Sequence, residues 1–187
     1  PIFIGSCLAK KIEKKLDLNL TIIDKNMSAS YPHHTKIADI RSIEDLRSNI
    51  QEGSLIVNLA AEHRDDVRPL SLYYDVNVKG SENICNVARE KSVNTIVFTS
   101  TVAVYGFAPI GTDENGLISP FNDYGESKYL AEKIYKEWQE EEPDARTLII
   151  IRPTVIFGEQ NRGNVYNLFN QVHSGRFVMI GDGLNRK

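Results

Sequence analysis

Cysteine is scarce in this chain of 187 residues: there are two, Cys7 and Cys85, and they form no metal-type pair. A disulfide framework is excluded, and both are expected to be reduced core or near-core thiols of a cytoplasmic protein. Histidine is thin as well, and only His33 and His34 stand together. Adjacent side chains of an extended backbone point opposite ways, so no metal is expected there. An excess of either charge is also missing. The 22 Lys and Arg against 25 Asp and Glu leave a net −3, which gives no broad basic field and argues against nucleic acid as a partner. Apolar runs long enough to span a bilayer are absent, so no membrane partner is expected, and no signal peptide is visible.

What is present is an alternation of helical and β-branched patterns. Ile4, Leu8, Ile12 and Leu16 recur every four residues, an amphipathic helix with a lysine-rich outer face. Residues 20–24, 54–61, 95–100 and 147–151 read as buried strands, with a last strand around 177–180. Helices are predicted over 42–50, with Ser42 as N-cap and Asp45 near a capping-box position, and over 71–91, where Gly80 is a mild weakness. A third carries Tyr124 and Lys128 and is stopped by Pro143, and a fourth covers about 164–173. No hairpin signal interrupts the series. The fold class is therefore α/β, a doubly wound parallel sheet with right-handed crossovers and helices on both faces. Such a sheet normally begins with a central strand that feeds a glycine turn. Here the chain begins inside the turn and stops after Gly181-Asp182-Gly183, so it reads as truncated at both ends.

In this class, ligands bind at the carboxyl ends of the strands. Asp24, followed by Lys25, ends the second expected strand about 20 residues after the turn, where an acid hydrogen-bonds the ribose 2′-hydroxyl of NAD and repels the extra phosphate of NADP. The competing reading is a turn-opening aspartate. Asp39-Ile40 could offer an acid to the adenine amino group and an apolar face to its ring. Leu59-Ala60-Ala61 after Asn58 ends the next strand in small residues that let backbone approach a ligand. Thr99-Ser100-Thr101 ends the following one with hydroxyls, which could cap backbone or share a proton with Tyr124. Tyr124 and Lys128, four apart, lie on one helix face. A phenol with a pKa near ~10 is a poor base at neutral pH. A neighbouring ammonium lowers that value and makes proton abstraction from an alcohol feasible.

Taken together, these stretches resemble the extended short-chain dehydrogenase/reductases of the NAD-dependent epimerase/dehydratase family. Phe3-Ile4-Gly5-Ser6 is similar to the end of the family's glycine turn, Leu59-Ala60-Ala61 to its small-residue strand end with His63 beside the cofactor, and 73–80 to the helix whose asparagine, Asn77, braces the site. Thr99 to Gly106 resembles its "SS-x-x-VYG" strand, Tyr124 and Lys128 its catalytic pair, and Ile151-Arg152-Pro153-Thr154 its "LRP" strand. The resemblance implies a Rossmann-type NAD-binding domain over 1–155 and the beginning of a small C-terminal substrate-binding region over 156–187. It implies that Tyr124 removes the sugar C4 proton, that Lys128 lowers the tyrosine pKa and meets the nicotinamide ribose, and that Thr101 positions the same hydroxyl. Pro153 would fix the carboxamide, and Asn164 would meet the diphosphate of a nucleotide sugar, a UDP-sugar first of all; Arg162 beside it could add charge-assisted bonds or be a solvated loop arginine.

Two departures qualify that picture. Ile2 stands where the turn usually has glycine, and a branched side chain there would crowd the pyrophosphate. Val102 and Ala103 stand where sugar 4,6-dehydratases carry an Asp-Glu pair, and neither can move a proton. The expectation is an NAD-dependent nucleotide-sugar epimerase working through a transient 4-keto sugar, with bacterial surface-polysaccharide synthesis as its setting. A nucleotide keto-sugar reductase is the alternative enzyme, and a catalytically silent NAD(P)-binding regulator or scaffold the alternative of another class. The family implies a homodimer through the helices at 71–91 and 124–139, with Tyr73, Tyr129, Tyr135 and Trp138 on their outer faces.

Overall fold

The structure, a computed structural model, describes residues 3–15, 18–64, 66–159, 161–179 and 181–183. Helix α1 is Phe3–Lys15, β1 Ile22–Asp24, β2 Thr35–Ile37, α2 Ile43–Asn49 and β3 Leu55–Asn58. Residues 71–90 form one continuous helix in three parts: α3 Ser71–Tyr73, a π-helical stretch Tyr74–Lys79 and α4 Gly80–Glu90. Strand β4 is Thr95–Thr99, α5 Asp123–Glu140, β5 Thr147–Ile151 and α6 Asn164–His173. All strand pairing is parallel, β1 with β2 and β3-β4-β5 in order. Among the described residues no ladder joins the two groups.

The core lies between β3-β4-β5 and the pair α4 and α5. Strand β4 alternates, with Ile96 and Phe98 fully buried against Ile84, Val87, Ala88, Ala131, Tyr135 and Trp138. Alternation follows from the period of two along a strand. The register puts Leu55, Thr95 and Thr147 in one row and Val57, Val97 and Ile149 in another, both on the face away from Ile96 and Phe98. On that face Leu55, Ile149 and Ile151 stay exposed.

Local chemistry explains most boundaries. Ser42 accepts a hydrogen bond from the Asp45 backbone N–H at 3.2 Å and so caps α2. Asp45 does not return the bond to Ser42; its Oδ2 takes the Asp39 N–H at 3.1 Å, one turn further out. Gly80 is less a weakness than a fitting: a Cβ there would stand 2.9 Å from Ile40 Cγ1. Its bare backbone lets the segment before α2 pack on the long helix. Gly106 turns the chain after β4 with φ +62°, and a Cβ would meet the Ser119 carbonyl oxygen at 2.1 Å. Gly106→Ala should therefore cost about 1–3 kcal/mol, read as a lower denaturant midpoint; an unchanged midpoint would show that the loop tolerates rearrangement.

Several expectations need correction. No strand forms at Phe177–Met179, where no described strand lies alongside to complete a ladder; Ile180 lies outside the described residues. Conversely β2 forms from Thr-Lys-Ile, a stretch without a strand signal of its own, because β1 offers a parallel edge. Cys7 is exposed, whereas Cys85 is buried, and burial pushes its thiol up to about 12. The aromatic residues expected on outer helix faces point inward: Tyr73, Tyr135 and Trp138 are buried within the chain. A dimer contact cannot be built from them, and Tyr129, under the Lys133 ammonium at 4.4 Å, is the one left at the surface side.

Candidate active site

The strand ends and the first turn of α5 meet around Thr101, Tyr124 and Lys128. Thr101 follows β4 in extended conformation and starts a 3-10 turn, Val102–Tyr105, by accepting the Ala103 N–H at 3.1 Å. Its hydroxyl proton remains available to donate. Asn122 caps α5 by accepting the Gly125 N–H at 2.8 Å. Gly125 then brings that first turn against the 3-10 turn, since a Cβ there would stand 2.7 Å from the Ala103 carbonyl oxygen. This close approach sets Tyr124 beside the Thr101 segment. The Tyr124 ring is half-buried and packs, tilted, on Tyr73 at 6.3 Å between centroids.

Lys128 is buried, 1% exposed, with its ammonium 4.1 Å from the centre of the Phe98 ring. Burial lowers its pKa from 10.5 to about 7, and the Glu132 carboxylate opposes that fall. Below it Tyr135 is fully buried, and its phenol is held above the usual range, first of all by desolvation. Asn58 donates to Tyr135 Oη at 2.7 Å and accepts the Ala60 N–H at 3.0 Å, so the end of β3 is tied to α5.

Asn77 forms the second tie. Its amide oxygen accepts the Glu62 N–H at 2.9 Å, and its Nδ2 donates to the Glu62 carbonyl at 3.0 Å and to Ser127 Oγ at 2.9 Å. Ser127 in turn donates to the Tyr124 carbonyl at 2.9 Å. The asparagine thus links the segment after β3 to the first turn of α5, from inside a π-helical stretch. Such bulges recur at functional sites.

Other candidates are placed less closely. Asp24 ends β1 and accepts the Asn26 N–H at 2.9 Å; Lys25 is exposed beside it. The Asp39 carboxylate is engaged by Arg41 at 2.6 and 3.0 Å, and that guanidinium holds its pKa below the usual carboxylate value. Ile40 packs on Gly80 of the long helix and is half-buried. His63 is exposed. Pro153 accepts the Val102 N–H at 3.3 Å, tying the end of β5 to the 3-10 turn. Phe3, Ile4 and Gly5 occupy the first turn of α1, and the Phe3 ring lies where a Cβ on Gly158 would come within 2.9 Å. Ile2 lies outside the described residues. Arg162 and Asn164 sit exposed at the start of α6, a helix that buries none of its residues.

The Ser100 hydroxyl donates to Glu132 Oε1 at 2.5 Å in the core. Glu132 is fully buried and takes Arg152 in a two-point pair at 2.6 and 2.9 Å. Arg152 also donates to Tyr105 Oη at 2.5 Å and to the Glu114 carbonyl at 3.1 Å. Glu132 did not stand out in the sequence, and Arg152 did so only as part of the motif at 151–154. The available signal was a glutamate one turn after Lys128.

A parallel α/β sheet with a Thr, Tyr and Lys set at the ends of β4 and α5 defines a Rossmann-type protein of the dehydrogenase/reductase kind. The chain matches the NAD dependent epimerase/dehydratase family over residues 3–187 and belongs to it. It is 50% identical over 171 residues to the N-acetyl-α-D-glucosaminyl-diphospho-ditrans,octacis-undecaprenol 4-epimerase of Escherichia coli O157:H7, covering 91% of this chain and 52% of that protein. It is 27% identical over 187 residues to the UDP-glucose 4-epimerase of Vibrio cholerae, covering 92% and 55%. Among solved structures it resembles the UDP-N-acetylglucosamine 4-epimerase of Bacillus cereus, with TM-score 0.77, 21% identity and coverage of 92% and 59%. The chain thus spans about half the length of the curated relatives it matches.

The family uses NAD, and the residues present fit that group. An acid ends β1, Ala60 and Ala61 give a backbone approach free of bulk after β3, and Lys128 offers a cation beside Tyr124. Among the described residues no cluster of His, Cys, Asp or Glu could hold a metal.

Proposed function

We propose that this chain is the cofactor-binding part of a 4-epimerase acting on a hexose or N-acetylhexosamine carried on a diphosphate. Residues 1–155 hold NAD, and 156–187 open the sugar site with Arg162 and Asn164 toward the diphosphate. The observation that carries this reading is the joining of Thr101, Tyr124 and Lys128 by the Gly125 contact and the Asn77 tie. Family membership and the relatives support it.

NAD, when bound, supplies a reversible hydride acceptor for C4. The chain's own residues handle the proton. Tyr124 takes it from the C4 hydroxyl at its phenol oxygen as the transient 4-keto sugar forms, then returns it to the oxygen of the inverted alcohol. Lys128 favours the phenolate by its charge. Thr101 donates its hydroxyl proton to the same sugar oxygen and holds it in line, a positioning contribution. Val102 and Ala103 supply no acid or base, so the sugar keeps its C6 oxygen.

Two carriers of the sugar are in contest, and one observation favours a lipid diphosphate over a nucleotide. The loop before α5 exposes Phe107, Ile110 and Leu117, 80% or more each, and stacks Phe107 on Phe121 at 4.6 Å. This apolar patch runs into Asn122, the cap of the catalytic helix, and the 50% identical relative bears a polyprenyl name. No helix among the described residues is long and apolar enough to cross a membrane.

The test is to supply the full-length protein and NAD with UDP-N-acetylglucosamine or with polyprenyl-diphospho-N-acetylglucosamine and follow C4 inversion by NMR. Inversion of the lipid-linked sugar alone selects the second carrier. Reduction of a keto-sugar without inversion would make it a reductase, and NAD binding with no turnover of any sugar diphosphate a binding protein.

A further inference from the structure

The proton chemistry assigned above uses Thr101, Tyr124 and Lys128, yet the most elaborate buried polar cluster lies one turn further along α5. Glu132 is 0% exposed and accepts three hydrogen bonds, from Ser100 Oγ and from Nε and Nη2 of Arg152. Isolated buried carboxylates are expensive, and a paired one often contributes no more stability than an apolar replacement would. A charge kept under those conditions calls for a function.

We propose that Glu132, clamped by Arg152 and Ser100, is a positioning residue that favours the cationic form of Lys128 beside Tyr124. This rests on the assignment of Tyr124 and Lys128 as the catalytic pair. Residues 128 and 132 are one turn apart and share a helix face. The clamp fixes the carboxylate there: its partners come from the end of β4 and the end of β5, two strands that the sheet holds rigidly side by side.

Glu132 is the described carboxylate that acts on Lys128 from its own helix face. From β4 the lysine faces the Phe98 ring. From the long helix comes neutral Asn77, through Ser127. On α5 itself Asp123 accepts from Tyr74 at 2.9 Å, and the phenol of Tyr135 stays neutral. Arg152 is paired with Glu132, and the Glu132 carboxylate acts against the effect of burial on the lysine. Without that carboxylate, burial alone would act on the ammonium, and it would shed its proton at a lower pH than in the clamped site. A neutral Lys128 leaves Tyr124 a weak acid and a poor base. Through its bonds to Tyr105 and the Glu114 carbonyl, Arg152 also fastens the apolar loop to this cluster.

The test uses full-length protein and two variants. Glu132→Gln alone strands the Arg152 charge and is expected to lower stability. Glu132→Met with Arg152→Met removes both charges and should fold at or above the wild-type midpoint. In that double variant the alkaline limb of kcat should move to lower pH by about one unit or more, with KM little changed. An ultraviolet tyrosinate titration, referenced to Tyr124→Phe, should show the Tyr124 phenol ionising at higher pH than in wild type. Wild-type profiles in a stable double variant would overturn the proposal and leave the cluster a purely structural one. If no sugar is turned over, the tyrosinate titration still decides: a shifted phenol supports the clamp although the epimerase reading has failed, and an unshifted one removes the clamp.

Discussion

Tyr124→Phe is expected to lower kcat by about 10²–10⁴-fold while fold and NAD affinity stay unchanged. The substitution keeps the ring, which packs on Tyr73 at 6.3 Å in a half-buried site, and removes only the hydroxyl. General acid–base catalysis by a positioned side chain contributes a factor of that size, or roughly 3–5 kcal/mol of barrier. Because the proton moves only in the transition state, the loss falls on kcat and kcat/KM together and spares KM. The acid limb of the pH profile should vanish with the phenol. Wild-type turnover in the variant would show that another group takes the proton and would remove the mechanism.

How much of this was legible in the sequence depended on how local the cause is. Helix α5 stops at Glu140, before the Glu-Glu-Pro stretch, and α6 spans Asn164–His173, because caps and breakers act within a few residues. The strands were found but read too long: residues 54–61 shorten to Leu55–Asn58, since pairing with β4 ends at Phe98. Strand β2 was missed and 177–179 overcalled for the same reason. A ladder needs a neighbour, and a stretch of three residues carries no period of its own. The burial of Tyr135 and Trp138 shows a related limit. Spacing says that two residues share a helix face but not whether that face turns to the sheet.

For the proposed site, residues with a motif behind them are legible along the chain and those joined by tertiary contacts are not. Tyr124 and Lys128 are four apart, and Thr101 closes a strand, so all three could be read along the chain. Ser100 could not be told from Thr101 until β4 fixed which hydroxyl faces the core. Glu132 lies 32 residues from Ser100 and 20 from Arg152, and nothing local joins the three. The sequence also does not show that Arg41 folds back on Asp39 or that Gly80 leaves room for Ile40.

Lys128→Met should make the protein more stable and inactive at once. In the unfolded chain the lysine keeps its proton up to about pH 10.5, and in the folded one only up to about pH 7. Between those values folding releases a proton, so stability rises with pH across that window. Below pH 7 both states are protonated, and the folded state bears the whole cost of burying the ammonium, roughly 5 kcal/mol for a shift of this size. Methionine has similar length and no charge, and its sulfur suits the face of Phe98. The variant should therefore gain several kcal/mol at pH 6, less at pH 9 and nothing above pH 10.5, measured by denaturant unfolding. Activity should fall at every pH, since Tyr124 loses its neighbouring cation. A stability gain that is equal at pH 6 and pH 9 would mean that Lys128 is not a strained cation in the folded chain. The cost is then the signature of function: a residue that destabilises the fold in the pH range where the reaction needs its charge.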